Sequence, residues 1–314
     1  MQSLKLSFDA VMPIFLLMLL GYCLRTFKLA DKENFDAMNK LVFKVFLPVL
    51  LFKNIYSTDP SEVFDGKLIV FSLVAIAAIF ILGYFSVFVL TKENSRRGVM
   101  LQGFFRSNFA ILGVPVAGYI CGEEAIAVAS LMVAIVIPAF NVLAVFALER
   151  FRDGGAKLKI STLLKGVVTN PLIIACLVGL VFLLTGIRLP HVVTEAVWDV
   201  ASVASPLAII VLGAGFEFSK IKGSLKELII TVVARLIVVP LIVIPIGVWF
   251  GFSGAALACL LVAFGGPIAV SSFSMAQQMG GDEDLAAQVV VFSSLFCLVT
   301  LFVWIYALDL MKLF

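Results

Sequence analysis

The chain has 314 residues, 62% of them hydrophobic and only 14% charged, and its mean hydropathy is +1.15. An ordinary soluble domain carries about 25% charged residues, so this composition excludes a soluble enzyme. The net charge is only +3, with no basic arm or aromatic-interleaved patch, which excludes a nucleic-acid partner.

A helix needs about 20 apolar residues to cross a bilayer core of about 30 Å. Ten such runs follow one another, at 8–27, 35–56, 67–90, 98–120, 125–148, 163–185, 193–216, 226–249, 255–278 and 285–308. The first is preceded only by Lys5 and lacks a small-residue cleavage motif, so it reads as a retained helix and not a signal peptide. In the second, Lys40 and Lys44 share a face near one end and are expected to snorkel, while Lys53 and Asn54 either line an external vestibule or end the helix in solvent. The fourth reads "FFRSNFAILGVPVAGYICG" and the fifth carries a lone amide, Asn141, suited to bonding a neighbouring helix. Arg235 lies in the eighth, and the ninth reads "AFGGPIAVSSFSMAQQ". The five cysteines (Cys23, Cys121, Cys176, Cys259, Cys297) form no CxxC pair, so neither a disulfide framework nor a metal site is expected. His191 is the sole histidine, which removes zinc-protease chemistry and leaves no obvious triad.

Lys and Arg concentrate in the breaks after runs 1, 3, 5 and 7 (Arg25, Lys28, Lys32; Lys92, Arg96, Arg97; Arg150, Arg152, Lys157, Lys159; Lys220, Lys222). Cytoplasmic loops carry such an excess, so both termini are expected outside. The break after run 9, Asp282 to Asp284, falls on the cytoplasmic side without a basic residue. The longest break, "ERFRDGGAKLKIS", divides the runs five and five. Residues 1–150 thus form a first five-helix repeat, 151–161 a cytoplasmic linker and 162–314 a second repeat. Pro13 and Pro171, Gly21 and Gly179, and Pro48 and Pro206 pair at an offset of 158, while Asn108 with Pro267 and Gly122 with Gly281 pair at 159. An odd number of spans per repeat inverts the second, an arrangement common in secondary transporters. The expected fold is an all-α polytopic membrane protein of ten transmembrane helices in two inverted five-helix repeats, with helices 4 and 9 broken and crossing.

Irregular backbone at membrane depth is tolerated where protein or a water-filled cavity satisfies it. Helix 4 places Arg106, Ser107, Asn108, Gly113 and Pro115 in mid-span, and helix 9 places Gly265, Gly266, Pro267, Ser271, Ser272 and Gln277 there. Either the Pro and Gly residues simply kink the helices, or both unwind. In the second case the restarted halves aim free N–H groups at one midplane spot, which suits a carboxylate. Arg106 is then an anion counter-charge or gate, or else half of a structural ion pair; Arg235, Asn54 and Gln277 are assigned gating or structural roles. No intramembrane carboxylate pair marks a proton relay, and neither sodium nor proton coupling is assigned.

The segments "FLPVLLFKNIYSTDP", "SNFAILGVP", "NPLIIACLVGL", "SPLAIIVLGAGFEF" and "GGPIAVSSFSMAQQMGGDEDLAAQ" resemble the auxin efflux carrier family, which includes plant PIN carriers and bacterial permeases for malate, malonate and related acids. The resemblance covers nearly the whole chain. It implies scaffold and transport units, a crossover of helices 4 and 9 at the site, and a homodimer in the inner membrane. Asn108 takes the position of the family's asparagine, and Gly113 and Pro115 those of its Gly-x-Pro. Ser107-Asn108 and Gly266-Pro267 replace the PIN asparagine-proline pairs, and the long cytosolic PIN loop is absent, which argues against auxin itself. The expected function is secondary transport of a small organic anion, such as a mono- or dicarboxylate or an auxin-like acid, by alternating access. Two alternatives remain: a carrier like the sodium–bile acid symporters, and a non-transporting ligand sensor.

Overall fold

The computed structural model describes residues 2–58, 65–152, 166 and 168–314, with side chains from residue 12 onward in the first stretch. Its named elements are all helical. They are α1 (Gln2–Thr26), α2 (Lys32–Leu41), α3 (Leu47–Tyr56), α4 (Gly66–Leu90), α5 (Asn94–Phe105), α6 (Val114–Arg150), α7 (Pro171–Thr185), α8 (His191–Gly215), α9 (Leu225–Val233), α10 (Val239–Trp249), α11 (Gly254–Gly265), α12 (Ser271–Met279) and α13 (Glu283–Leu310). Widened π-turns join α2 to α3 (Val42–Phe46), lead into α6 (Phe109–Gly113) and join α9 to α10 (Ala234–Val238). Each π-turn runs into a proline two residues beyond its end: Pro48, Pro115 and Pro240. Proline has no N–H to give and crowds the carbonyl one turn back, and the wider turn relieves that crowding.

Five helical stretches are long and apolar enough to cross a membrane: Gly66–Leu90, Phe109–Arg150, His191–Gly215, Leu225–Trp249 and Glu283–Leu310. Met12–Thr26, Pro171–Thr185 and Gly254–Gly265 are shorter apolar helices. Val89, Leu184 and Trp249 are 87%, 83% and 82% exposed, an apolar exterior that suits lipid and not water. The chain is therefore an all-helical, polytopic membrane protein. The expected linker, 151–161, lies outside the described residues apart from Phe151 and Arg152, as do residues 163–165 and 167 of the sixth run. Within α6 the helix is interrupted between runs four and five, where Cys121 (φ −128°, ψ 16°) and Gly122 (φ +70°, ψ −154°) are non-helical, so the two runs are separate helices. The turn between them is compressed into these two residues, and only glycine adopts the φ of Gly122 freely.

Local chemistry sets the helix starts. Asp65 accepts from Lys67 N and Leu68 N at the head of α4, Asn170 accepts from Leu172 N ahead of Pro171, and Asp282 accepts from Leu285 N. Two packed groups result, one of α1, α2, α3, α7 and α8, the other of α4 to α6 and α9 to α13, with α1 also touching α13. In the first group α1 and α8 approach so closely that a Cβ on Gly21 would lie 1.9 Å from the Ile210 carbonyl oxygen, and one on Gly213 2.0 Å from that of Met18. In the second, α5 and α11 are the most enclosed helices, with Gly98–Phe105 and Leu257–Gly265 buried throughout.

The acidic stretch Asp282–Asp284 lies at the same end of the molecule as the basic breaks. Asp282 pairs with Arg96 at 3.1 Å, Glu283 with Lys32 at 3.1 Å and Asp284 with Lys220 at 3.0 Å. The basic excess of neighbouring loops neutralises this stretch, so it needs no lysine of its own.

Candidate functional site at the crossing of two broken helices

The two enclosed helices both stop in mid-chain. After α5 the backbone is extended at Arg106 (φ −85°, ψ 115°), and the helix restarts behind Asn108. After α11 it is extended at Gly266 (φ −71°, ψ 164°), and the helix restarts at Ser271. Pro267 cannot donate and pushes the residue before it out of the helical region, so the second break follows from the sequence. Gly266 is required as well, because a Cβ there would lie 2.5 Å from the Val262 carbonyl oxygen. The extended segments meet as a single antiparallel bridge between Ser107 and Ile268, where Asn108 N donates to the Pro267 carbonyl at 2.9 Å. Ile268 N donates to Ser293 Oγ at 3.1 Å, and Ser107 Oγ to the Val262 carbonyl at 3.3 Å. Backbone groups freed by unwinding are thus satisfied across the crossing, as burial demands.

Arg235 fixes the crossing from one side. Fully buried, it donates to the carbonyls of Gly266 (2.8 Å), Ala263 (2.7 Å), Phe105 (3.2 Å) and Phe104 (3.4 Å). These are the carbonyl-rich C-terminal ends of α5 and α11, where a cation complements both helix dipoles. Its hydrogen bonds all go to backbone carbonyls of the crossing.

Arg106 lies on the other side and its surroundings differ. It is 3% exposed and donates to Asn141 Oδ1 at 2.7 Å, Ser271 Oγ at 2.9 Å and the Met275 sulfur, all neutral groups. Among the described residues no carboxylate pairs with it. The guanidinium borders a cavity of about 60 Å³ between the two packed groups. Ser107, Asn108 and Ser271 contribute from the crossing, Ile137, Phe140 and Asn141 from α6. Across the cavity stand Leu47, Leu50, Leu51 and Asn54 of α3, Leu172 of α7, and Ser205 and Ala208 of α8. Arg106 is the only charged group among these lining residues. The buried side-chain nitrogens of Asn108 and Asn141 have no hydrogen-bond partner. Residues 109–111 and 269–271, the starts of the restarted helices, also line the cavity; the first N–H groups of a helix lack partners within it.

The structure therefore brings Arg106, Ser107, Asn108, Ser271 and Asn54 together, and adds Asn141. It places Gly113, Pro115, Gly266, Pro267 and Ser272 outside the lining. Gly113 is buried against the Phe109 ring, where a Cβ would come within 2.4 Å, and Pro115 is exposed. Gly266 and Pro267 shape the bridge, and the Ser272 carbonyl accepts from Gln102 Nε2 at 3.1 Å. Gln277 lies two turns beyond the restart of α12, among the charged groups of the basic end. It donates to Asp36 Oδ1 and Glu283 Oε2, both at 2.9 Å, and accepts from Asn39. Lys53 leaves the cavity to stack over Trp198 at 5.3 Å. Ser205 and Met275 were not singled out from the sequence, because a lone serine or methionine in an apolar run carries no signal of its own. No group of three or more His, Cys, Asp or Glu suited to a metal ion occurs among the described residues.

Comparison with known proteins shows the family. A family model described as a membrane transport protein, that of the auxin efflux carriers, matches residues 6–305. The chain belongs to this family. It is 26% identical over 307 residues to an uncharacterized transporter of Methanothermobacter thermautotrophicus, covering 95% of this chain and 97% of that one. It is also 26% identical over 322 residues to the uncharacterized transporter YfdV of Escherichia coli (strain K12), covering 96% and 98%. As a member of this family the chain is a membrane transporter, and the crossing with its cavity is the candidate site of transport.

Proposed function

We propose that the chain carries a small organic anion by alternating access, holding it in the cavity at the crossing of the broken helices. One observation carries this reading: the Arg106 guanidinium is buried against neutral groups only, beside a cavity where the Asn108 amide nitrogen also lacks a partner. An isolated cation at membrane depth is costly, and an anionic guest supplies the missing partner. The restarted helices add partial positive charge and free N–H groups. Arg235 provides the contrast, since four carbonyls already occupy it.

In this reading the ten apolar runs are ten spans in two inverted five-helix repeats. Supporting it, Pro13 and Pro171, Gly21 and Gly179, and Pro48 and Pro206 recur at one offset, and both α5 and α11 break in mid-chain. The group of α1, α2, α3, α7 and α8 acts as scaffold, and the other group carries the crossing past it. Contacts from Lys32 to Glu283 and from Gln277 to Asp36 and Asn39 close the basic end between the two groups. That end faces the cytoplasm, both termini lie outside the inner membrane, and the carrier works as a homodimer.

Uptake of labelled organic acids into proteoliposomes tests this reading. The wild-type chain is expected to accumulate or exchange an acid, and Arg106→Gln and Asn108→Ala to lose that activity while remaining folded. Undiminished uptake in both variants would remove the site assignment.

A further inference from the structure

The cavity contains one positive charge and no second cation to meet another carboxylate. Lys53 is held over Trp198 at 5.3 Å and does not line it, and Arg235 is occupied by carbonyls on the far side of the crossing. Opposite Arg106 the wall is formed by the side chains of Leu47, Leu50 and Leu51, with Asn54 and Ser205 as neutral polar groups. The unpaired donors, Asn108 Nδ2 and Asn141 Nδ2, sit on the Arg106 side. The lining thus offers one charge, with an unpaired amide donor two residues along the chain at Asn108 and another on its hydrogen-bond partner Asn141, and otherwise apolar or neutral side chains.

We propose that this site selects small monocarboxylates over dicarboxylates, an inference that rests on the anion-carrier reading above. One carboxylate meets the Arg106 fork and the Asn108 amide, and its acceptor oxygens satisfy donors that are otherwise unpaired. The bound pair is neutral, so the remainder of the guest needs no further charge. A second carboxylate would be carried against leucine side chains with only an amide and a hydroxyl in reach, and a buried charge without a counter-charge is strongly disfavoured. A hydroxyl in that place is accommodated by Asn54 or Ser205, so short hydroxy acids belong to the accepted class. The cavity volume of about 60 Å³ leaves room for about four water-sized groups, which matches an acid with a short body.

The test uses the purified full chain in detergent at pH 7.5, where carboxylates are ionised, with potassium salts at matched ionic strength and chloride as control. Propionate, butyrate and lactate are compared with malonate and succinate by ligand-induced thermal stabilisation, which reports binding to the folded state. Half-saturating concentrations for the monocarboxylates are expected to be at least about tenfold lower than for the dicarboxylates, and Arg106→Gln is expected to abolish the response. As a measurement that needs no variant, exchange of labelled propionate by the wild-type chain in proteoliposomes should be inhibited by unlabelled butyrate at about tenfold lower concentration than by succinate. Dicarboxylates binding as tightly as monocarboxylates would overturn this inference and leave the anion-carrier reading standing. Stabilisation by neutral or cationic solutes, with none by any acid, would overturn both.

Discussion

Two buried arginines flank the same crossing, yet replacing each by methionine should have opposite consequences. Arg235 donates to four carbonyls at 2.7 to 3.4 Å, all in the last turns of α5 and α11 or in the break that follows. Methionine at this position leaves those acceptors buried without donors, at about 1–3 kcal/mol for each orphaned group. The contributions overlap, and removing one side of a buried charged array typically costs about 3–5 kcal/mol, which is the loss expected for Arg235→Met. At Arg106 the same change sacrifices two hydrogen bonds from a charged donor to neutral oxygens, worth about 1.5–3 kcal/mol each, and a weak contact to sulfur, and also removes a buried cation that has no counter-charge, itself several kcal/mol unfavourable. Arg106→Met should therefore lie within about 1 kcal/mol of the wild type, or above it, while losing uptake. Denaturation by sodium dodecyl sulfate from mixed micelles, followed by circular dichroism, measures both variants on one scale. Equal losses of stability would refute the division of labour between a structural and a ligand-facing arginine.

Further expectations concern the packing and the basic end. Gly213→Ala should destabilise the chain by about 1–3 kcal/mol, because its Cβ would lie 2.0 Å from the Met18 carbonyl oxygen and force α1 from α8; an unchanged unfolding midpoint would contradict so close an approach. The hydrogen bond from Arg25, at 2.6 Å, outweighs partial burial and with Lys220 holds the Glu217 carboxyl below the usual carboxylate range. Its stabilisation is present above the unfolded value of about 4 and is lost as pH falls through the lower folded value, so Glu217→Gln should flatten the acid limb of a stability–pH curve. Gln277→Ala removes the amide that ties Asp36 and Asn39 to Glu283. A loss of about 1 kcal/mol in the closed form would raise, about fivefold, the rate at which an impermeant thiol reagent applied to the basic face reaches a cysteine placed at Ser271. An unchanged rate would show that this cluster does not close that end.

The breaks were legible because Gly266-Pro267 and the Gly and Pro residues after Asn108 are local signals that act on the backbone directly. The π-turns were not: all three precede a proline, but Pro13, Pro138, Pro206 and Pro245 have no such turn directly before them. Proline creates the strain, and neighbouring packing decides whether the helix widens or bends. Arg106 and Arg235 sit at similar depths along their runs, so depth alone could not separate them. Their roles depend on which way each faces, and Arg235 lies within a π-turn that rotates the helix. Gln277 shares an apolar run with the break, and the restart at Ser271 carries it two turns away to the charged end, a displacement set by the tertiary course of the helix. Asn141 was expected to bond a neighbouring helix, and its partner proves to be Arg106 itself. That pairing joins distant parts of the chain and has no local signature.

The account rests on an anion occupying the cavity beside Arg106. A cryo-electron microscopy or crystal structure of the chain with a transported acid, at a resolution that places carboxylate oxygens, tests it most directly. The predicted result is a carboxylate within hydrogen-bonding distance of both the Arg106 guanidinium and Asn108 Nδ2, with its body against Leu50 and Leu51. A transported acid bound elsewhere, with the Arg106 cavity occupied only by water, would contradict it.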